Sequence, residues 1–231
     1  MYLQVAAVMR HRIGSGYWKE GDQISTAVEL MSEFGVARVT IQQAVRVLQE
    51  EGLLSAFPGR GTFVSGRPKP KYRIEQAADL KSLAEAIKNN VVKVASVEEK
   101  CGPPPLNDKD VILASSYAHI RSVQYNGDDP FSVGTVYVVT EIFEREKKRF
   151  VKQPALPLLL SMKRVKVVQA FQDITIGVAG LETAKQLHIG LGEPTAESHL
   201  VLLDASGVAI FIAHFHYSRD HFAMRRILPT D

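Results

Sequence analysis

The sequence predicts an α+β protein of two domains. Its 231 residues suffice for two domains of ordinary size, and 45% hydrophobic with 23% charged residues is a typical globular composition. In the first 66 residues, apolar side chains recur at helical spacing three times and then give way to two short strand-like runs. From about residue 75 onward, runs rich in valine, isoleucine and aromatic residues alternate with helical segments. These patterns predict three helices and a hairpin, followed by a mainly antiparallel sheet with helices.

The composition narrows the class of protein. No apolar run approaches the roughly 20 residues that a membrane span needs, and residues 1–14 lack the pattern of a signal peptide. Cys101 is the single cysteine, so an internal disulfide or a thiolate zinc site is not expected. We therefore expect a cytoplasmic protein with no membrane partner.

Three helices are predicted in the first domain. The first covers residues 2–14, and the second begins after Ser25 or Thr26, whose hydroxyls suit a helix N-cap, and ends at Gly35. The third opens at Ala37. Its buried stripe, at spacings i, i+3, i+4 and i+7, is Ile41, Ala44, Val45 and Leu48. Only about two residues separate the second helix from the third, which is the spacing of a helix-turn-helix.

A hairpin follows the third helix. Residues 53–57 and 62–64 are predicted as strands around the turn Pro58-Gly59-Arg60-Gly61, with Arg60 pointing outward. A helix-turn-helix followed by such a hairpin is a winged helix-turn-helix. Residues 1–75 hold ten Lys or Arg and seven Asp or Glu, whereas residues 76–231 hold eighteen of each. This local excess of positive charge suits a phosphate backbone, although a solvated basic linker would also account for it.

The exposed side of the third helix carries residue types that read DNA bases. Arg38 and Gln42 are four residues apart on one face, with Val39, Gln43 and Arg46 beside them. Arginine bonds guanine and glutamine bonds adenine in the major groove, each in bidentate fashion.

The segment from Gly21 to Gly66 resembles the DNA-binding domain of the GntR family of bacterial regulators. The motifs that carry the resemblance are Phe34-Gly35-Val36, Arg38, Thr40, Gln43-Ala44, Glu51-Gly52-Leu53 and Gly59-Arg60-Gly61-Thr62-Phe63-Val64. With the base-reading face, the resemblance predicts a DNA-binding set of Arg38, Thr40, Gln42, Gln43, Arg60, Gly61 and Thr62. There are two departures from the family pattern: Val28 and Gln42 stand where the family usually has arginines.

The rest of the chain divides into a linker and a second domain. Residues 67–74 alternate proline with basic residues and are predicted to be a semi-rigid linker between domains 1–66 and 75–231. Helices are predicted at 75–90, 142–152, 155–163 and 180–188. Strands are predicted at 111–124, 130–141, 164–178, 196–204 and 207–217.

This second domain resembles the UTRA domain, the ligand-binding domain of the HutC-type branch of the same family. The matching segments are Gly127-Asp128-Asp129-Pro130, Ala184–Ile189 before Gly192-Glu193-Pro194, the turn at Gly207, and His216–Phe222. The resemblance implies a fold related to chorismate lyase, a homodimer on a palindromic operator in double-stranded DNA, and a repressor that a small-molecule effector releases.

The predicted effector site consists of Arg121, Thr135, Tyr137, Phe211 and Tyr217. By resemblance, Arg121 and Tyr217 match polar pocket positions of the family, whereas Val123, Gly134 and Phe211 replace an arginine and two glutamates. We expect Arg121 to lie in an apolar strand, where a ligand carboxylate or Asp173 would neutralise it. Phe211 would then pack on the ligand body, which favours a compact carboxylate over a sugar phosphate.

Two alternatives to an effector-controlled repressor follow from the same residues. The second domain could serve only for dimerisation, because the family's pocket acids are missing, or it could be a lyase-like enzyme, although no nucleophile–base arrangement is recognisable. His214 and His216 share a strand face near Asp220 and His221, a set that can bind a metal. Strand histidines more often pack at interfaces, and we expect no metal or cofactor.

Overall fold

The computed structural model describes residues 1–66, 79–106 and 111–222, and the chain divides into two compact units, Met1–Lys69 and Pro70–Asp231. The predicted linker at 67–74 lies outside the described residues. The first unit contains α1 (Tyr2–Ser15), α2 (Ala27–Phe34), α3 (Arg38–Glu50), β1 (Leu54–Phe57) and β2 (Gly61–Val64). This is the predicted winged helix-turn-helix.

The start of α2 is fixed by a capping box. Thr26 Oγ1 accepts a hydrogen bond from the Glu29 backbone N–H at 3.3 Å, and the Thr26 N–H donates to Glu29 Oε2 at 2.6 Å. The bonds from Thr26 lower the pKa of Glu29. Gly35 ends the helix in the left-handed conformation with φ of 62°, a backbone region that glycine enters without strain. The turn into α3 is therefore set by local sequence.

Helix α1 is joined to the helix-turn-helix by apolar packing and two ion pairs. Met9 and Ile13 of α1 are fully buried in one cluster with Ile41, Ala44 and Leu48 of α3. Arg10 Nε donates to Glu51 Oε2 at 2.6 Å, and Arg12 Nη1 donates to Glu33 Oε2 at 3.0 Å. The hydrogen bond from Arg12 lowers the pKa of Glu33. These contacts hold α3 in place while leaving its opposite side in solvent.

The second unit is a sheet with five helices among the described residues. Its helices are α4 (Leu80–Ile87), α5 (Thr140–Arg145), α6 (Lys147–Phe150), α7 (Ala155–Ser161) and α8 (Leu181–Leu187). Its strands are β3 (Val91–Cys101), β4 (Ile112–Leu113), β5 (Tyr117–Asn126), β6 (Asp129–Val139), β7 (Gln169–Val178), β8 (Pro194–Leu203) and β9 (Val208–Ser218). The strand order is β3-β5-β6-β9-β8-β7, all antiparallel, and the short β4 pairs parallel with β9. No helix in the described part of the chain is long and apolar enough to cross a membrane.

Strand alternation gives the sheet two chemically different faces. On the first, the cavity face, Phe211, Ala213, Phe215 and Tyr217 of β9 lie beside Val136 and Leu200. On the second, the histidine face, His214 and His216 lie beside Thr135, Tyr137, Glu197 and His199. The prediction that Phe211 and Tyr217 share one face and the two histidines the other agrees with this arrangement.

Gly134 marks a close approach between β6 and β9. A Cβ atom at this position would lie 2.2 Å from the backbone oxygen of His214. A longer side chain at residue 134 is therefore excluded by the backbone of the neighbouring strand, so Gly134 is required by the sheet.

Candidate DNA interface and effector cavity

The recognition helix α3 presents its polar side to solvent. Arg38, Gln42 and Gln43 are exposed, and Thr40 is half-buried. Arg46, further along the same side, pairs with Glu50 across one helical turn, with Nε to Oε1 at 3.0 Å. The amino-terminal turn of α3 is therefore open to a ligand, as base reading by a helix-turn-helix requires.

The wing carries an exposed cation at its tip. The Arg60 guanidinium lies 5.8 Å from the centre of the Phe57 ring, and Gln23 Nε2 donates to the Arg60 backbone oxygen at 3.2 Å. Gly61 has φ of 107°, and a Cβ there would meet the Gln23 side chain at 2.3 Å. The glycine thus allows Gln23 to brace the hairpin.

A groove connects the wing with the recognition helix. It has a volume of about 520 Å³, and Gln42 of α3, Gly61 and Thr62 of β2, and Thr26 at the start of α2 line it. The structure therefore brings Gln42, Gly61 and Thr62 together, while Arg38 and Arg60 lie outside the groove lining.

Each helix of the helix-turn-helix has an exposed valine in its first turn. Val39, in the first turn of α3, is 56% exposed, and Val28, in the first turn of α2, is 70% exposed. The predicted DNA-binding set omits Val39, although its position beside Arg38 on the polar side of the helix was a sufficient signal. An apolar side chain there is suited to contact a thymine methyl group.

The second unit encloses a cavity of about 70 Å³ between the cavity face and helices α4 and α7. Of the sixteen described residues that line it, none is charged and four are polar: Gln124, Gln172, Ser198 and Tyr217. Gln124 Oε1 accepts from Asn90 Nδ2 at 2.7 Å, and Gln172 Nε2 donates to Ser198 Oγ at 2.8 Å. The cavity therefore offers hydrogen-bonding groups in an apolar and uncharged setting.

The predicted effector residues do not form one site. Phe211 and Tyr217 line the cavity, whereas Arg121, Thr135 and Tyr137 lie on the histidine face. The prediction that Arg121 binds a carboxylate whose body packs on Phe211 is wrong, because the sheet separates the two side chains. Aligning the chain with the family by the positions of its turns places each strand only to within about one residue. A shift of one residue moves every side chain of the strand to the other face of the sheet.

The expected burial of Arg121 is also wrong. Its neighbours Ile120 and Ser122 are buried, but Arg121 itself is exposed. Asp173, the expected internal partner, lies on β7, and strands β6, β9 and β8 separate β7 from β5. The exposed guanidinium is hydrated and needs no buried counter-charge.

The histidine face holds a separate open groove of about 650 Å³. Thr135, Tyr137, Asp173, His199 and His214 are among its lining residues. His119 stacks on Tyr137 with ring centres 4.3 Å apart, and burial, with a contribution from Arg121, lowers the pKa of His119.

The four residues considered as metal ligands do not converge. His221 Nε2 lies 3.1 Å from Asp129 Oδ2, and His221 Nδ1 lies 2.5 Å from Ser218 Oγ. His216 Nδ1 lies 3.3 Å from Glu197 Oε1. Within residues 1–66, 79–106 and 111–222, no group of three or more His, Cys, Asp or Glu side chains is arranged to hold a metal ion.

The fold and the exposed recognition helix define a DNA-binding transcriptional regulator of the winged helix-turn-helix class. Residues 1–64 match the profile of bacterial regulatory proteins of the gntR family. The chain is 25% identical over 227 residues to the mannosyl-D-glycerate transport/metabolism system repressor MngR of Escherichia coli K12, covering 96% of this chain and 91% of that protein. It is 30% identical over 141 residues to a histidine utilization repressor of Pseudomonas aeruginosa, covering 60% and 56%. Residues 1–64 are therefore a DNA-binding domain of the gntR family, in a chain that is similar to the repressor MngR over almost its whole length.

The second unit also has a counterpart among solved structures. The effector domain of PhnF from Mycobacterium smegmatis matches 68% of this chain and 100% of that domain, with a TM-score of 0.56 and 12% identity. This similarity shows a shared fold. The relatives named above are repressors and not enzymes, so the lyase-like alternative is set aside.

Proposed function

We propose that the protein is a homodimeric repressor that binds a palindromic operator and leaves it when an uncharged small molecule occupies the cavity of the second unit. The observation that carries the effector part of this proposal is the cavity lining, which combines amide and hydroxyl groups with apolar walls and contains no charge. Its site of action is the cytoplasm, where bacterial DNA lies.

The DNA part rests on the exposed residues of the first unit. In this arrangement the amino-terminal turn of α3 enters the major groove, where Arg38, Val39, Gln42 and Gln43 face base edges. Arg60, Gly61 and Thr62 of the wing, with Thr40 of α3, contact the backbone or the adjacent groove. Two copies related by a two-fold axis then read two half-sites spaced by about one helical turn.

Val28 gives a gain-of-affinity prediction. Val28→Arg should place a cation at the exposed start of α2, strengthen operator binding, and steepen the dependence of log K on log salt by about 0.9, the value for one added phosphate contact on B-DNA. Fluorescence anisotropy titrations at several salt concentrations measure the slope. Val8→Arg on the exposed side of α1 is the matched control, since it adds the same charge away from α2 and α3. An equal gain in operator affinity in both variants would show that residue 28 does not lie at the DNA interface.

The chemistry of the cavity limits the effector. A sugar phosphate or a carboxylate would bring a charge into a site that offers no counter-charge, and burying an unpaired ion is strongly unfavourable. An uncharged compound with an apolar body and one or two hydrogen-bonding groups can bond Gln124, Gln172 or Ser198 and pack on Phe211 and Phe215. For release, this compound must bind more tightly to the form of the protein that does not fit the operator.

A ligand screen tests the effector proposal. Neutral and anionic compounds matched in size are tested for thermal stabilisation of the protein and for release of labelled operator. We expect stabilisation by neutral compounds, its loss in Ala213→Leu, which fills the cavity, and its retention in Arg121→Ala on the opposite face. Circular dichroism and operator binding establish that both variants fold. Stabilisation by anions alone, or its loss in Arg121→Ala, would contradict the proposal.

The small volume of the cavity favours a second candidate function. Ligand pockets usually enclose about 300–1,000 Å³, well above the 70 Å³ found between the sheet and helices α4 and α7. A second domain that serves only for dimerisation would need no larger cavity. The same screen separates the two functions, because a dimerisation domain shows no stabilisation by any compound.

A further inference from the structure

We infer that the outer edge of β7 is the surface through which two copies of the chain associate, as a pair of antiparallel strands that joins their sheets. This inference rests on the homodimer proposed above and names the interface. Among the described residues, no strand pairs with the outer edge of β7, so a row of backbone N–H and C=O groups is available there.

The two edges of the sheet differ in how they resist association. The edge strand β3 carries Lys93, Glu98, Glu99 and Lys100, and its pairing with β5 is irregular at two places. Charges and bulges of this kind prevent edge-to-edge pairing. The edge strand β7 has one charged residue, Asp173, and pairs with β8 over ten residues without a register shift. It therefore lacks the devices that protect an edge left in solvent.

The exposed apolar residues of the second unit collect around the same strand. Seven large apolar side chains are exposed among its described residues, and five of them lie between positions 168 and 191. These five are Val168, Ile176, Val178, Leu181 and Leu191, of which Ile176 is 86% exposed. An exposed apolar patch on an unprotected strand edge indicates a surface that another chain covers.

A second copy of the same chain fits this edge for geometric reasons. An antiparallel pair of identical strands has a two-fold axis perpendicular to the sheet, so each β7 offers its partner the same surface that it uses. A strand of ten residues can form about ten hydrogen bonds in such a pair. The axis also keeps the cavity faces of both copies on one side of the joined sheet. Ile174, Ile176 and Val178 project from the cavity face, whereas Asp173 projects from the opposite face together with Phe171.

The same strand also lines the effector cavity. Gln172 and Ile174 of β7 are lining residues, and Gln172 bonds Ser198 inside the cavity. A ligand in the cavity would therefore touch the strand that contacts the partner. This gives the interface a direct route for regulating the spacing of the two DNA-binding units.

Mass measurement tests the interface. Light scattering of the full chain at micromolar concentration should give twice the monomer mass of 25.6 kDa. Ile176→Lys should raise the dimer dissociation constant by about 100-fold, the size of effect expected for a central interface residue. Val91→Lys, at an exposed valine on the β3 edge, should leave the dimer intact. Equal dimer dissociation constants for the two variants would contradict an interface at β7.

A cross-linking scan gives a result that does not depend on the stability of a lysine variant. In a Cys101→Ser background, single cysteines are placed in turn at positions 170 to 178, and the protein is oxidised mildly. We expect one or two neighbouring positions to form disulfide-linked dimers, because residues near the two-fold axis face their own copies, and Val91→Cys to form none. A dimeric protein with no cross-link in the scan would refute the interface and leave the homodimer standing. A monomeric protein with and without operator would refute both.

Discussion

Replacing Arg38 with alanine should weaken binding to a selected operator by about 1–3 kcal/mol, or roughly 5- to 150-fold, and relax the preference for one base pair in each half-site. The reason is that Arg38 is exposed in the first turn of α3, where an arginine forms a bidentate contact with guanine. The operator is first selected from random DNA with the full chain. Anisotropy titrations at one fixed salt concentration, against the operator and its single-base variants, then measure affinity and preference.

Arg46→Ala is the matched control for this experiment. Arg46 lies on the same side of α3 but two turns further along, and its side chain already pairs with Glu50. We expect a smaller loss of affinity that is similar for all base variants, as for a backbone contact. Unchanged binding in Arg38→Ala, or a loss of preference in Arg46→Ala instead, would mean that α3 enters the groove in another orientation.

Phe211→Ala should destabilise the second unit by about 3–5 kcal/mol, because a fully buried phenylalanine leaves a cavity when truncated. Phe211 is 1% exposed and belongs to the main cluster of buried residues on the sheet. Urea unfolding followed by circular dichroism measures the loss. Phe211→Leu, which keeps most of the volume, should lose much less, and a loss below about 1 kcal/mol in the alanine variant would contradict the packing.

The position of the single tryptophan allows the effect to be assigned to one unit. Trp18 is buried in the first unit, and the protein has no other tryptophan. Its fluorescence therefore follows unfolding of the DNA-binding unit alone. We expect the tryptophan transition of Phe211→Ala to stay at the urea concentration of the parent protein while the transition seen by circular dichroism moves.

The first unit was predictable from local sequence because its signals act over a few residues. Thr26 and Glu29 form the capping box that starts α2, and Gly35 ends the helix. Of the predicted stripe on α3, Ile41, Ala44 and Leu48 are buried and Val45 is half-buried. Each of these features needs only neighbours within one or two helical turns. The strands of the wing likewise follow from the glycines at their turn.

Strand β3 was absent from the predicted elements because its sequence lacks the usual alternation. Lys93, Glu98, Glu99 and Lys100 interrupt its apolar residues. At the edge of a sheet, both sides of a strand can face solvent, so charge is tolerated and the burial pattern that identifies an inner strand is missing. The strand conformation of β3 is therefore stabilised by its pairing with β5 and is not indicated by its own sequence.

The proposed effector cavity could not be predicted because its lining depends on which way each side chain faces. Family resemblance located strands β5 and β9 correctly along the chain. However, Arg121 and Phe211 lie on opposite faces of the sheet. The pairing register between the strands decides these faces, and the local sequence of a single strand does not reveal that register. Gln124, Gln172 and Ser198, which do line the cavity, were missed because alternate polar residues in a strand usually indicate a solvated face.

Under the proposed function, the difference in charge between the cavity and the recognition helix would make the repressor respond separately to ionic strength and to the effector. Operator binding through the exposed arginines would release ions and would therefore weaken as ionic strength rises. Binding of a neutral molecule to an uncharged lining releases none and should be insensitive to salt. At low ionic strength, more effector is then needed to displace the tightly held operator, and at high ionic strength less. Ionic strength would thus set the concentration of effector that is needed to release the operator.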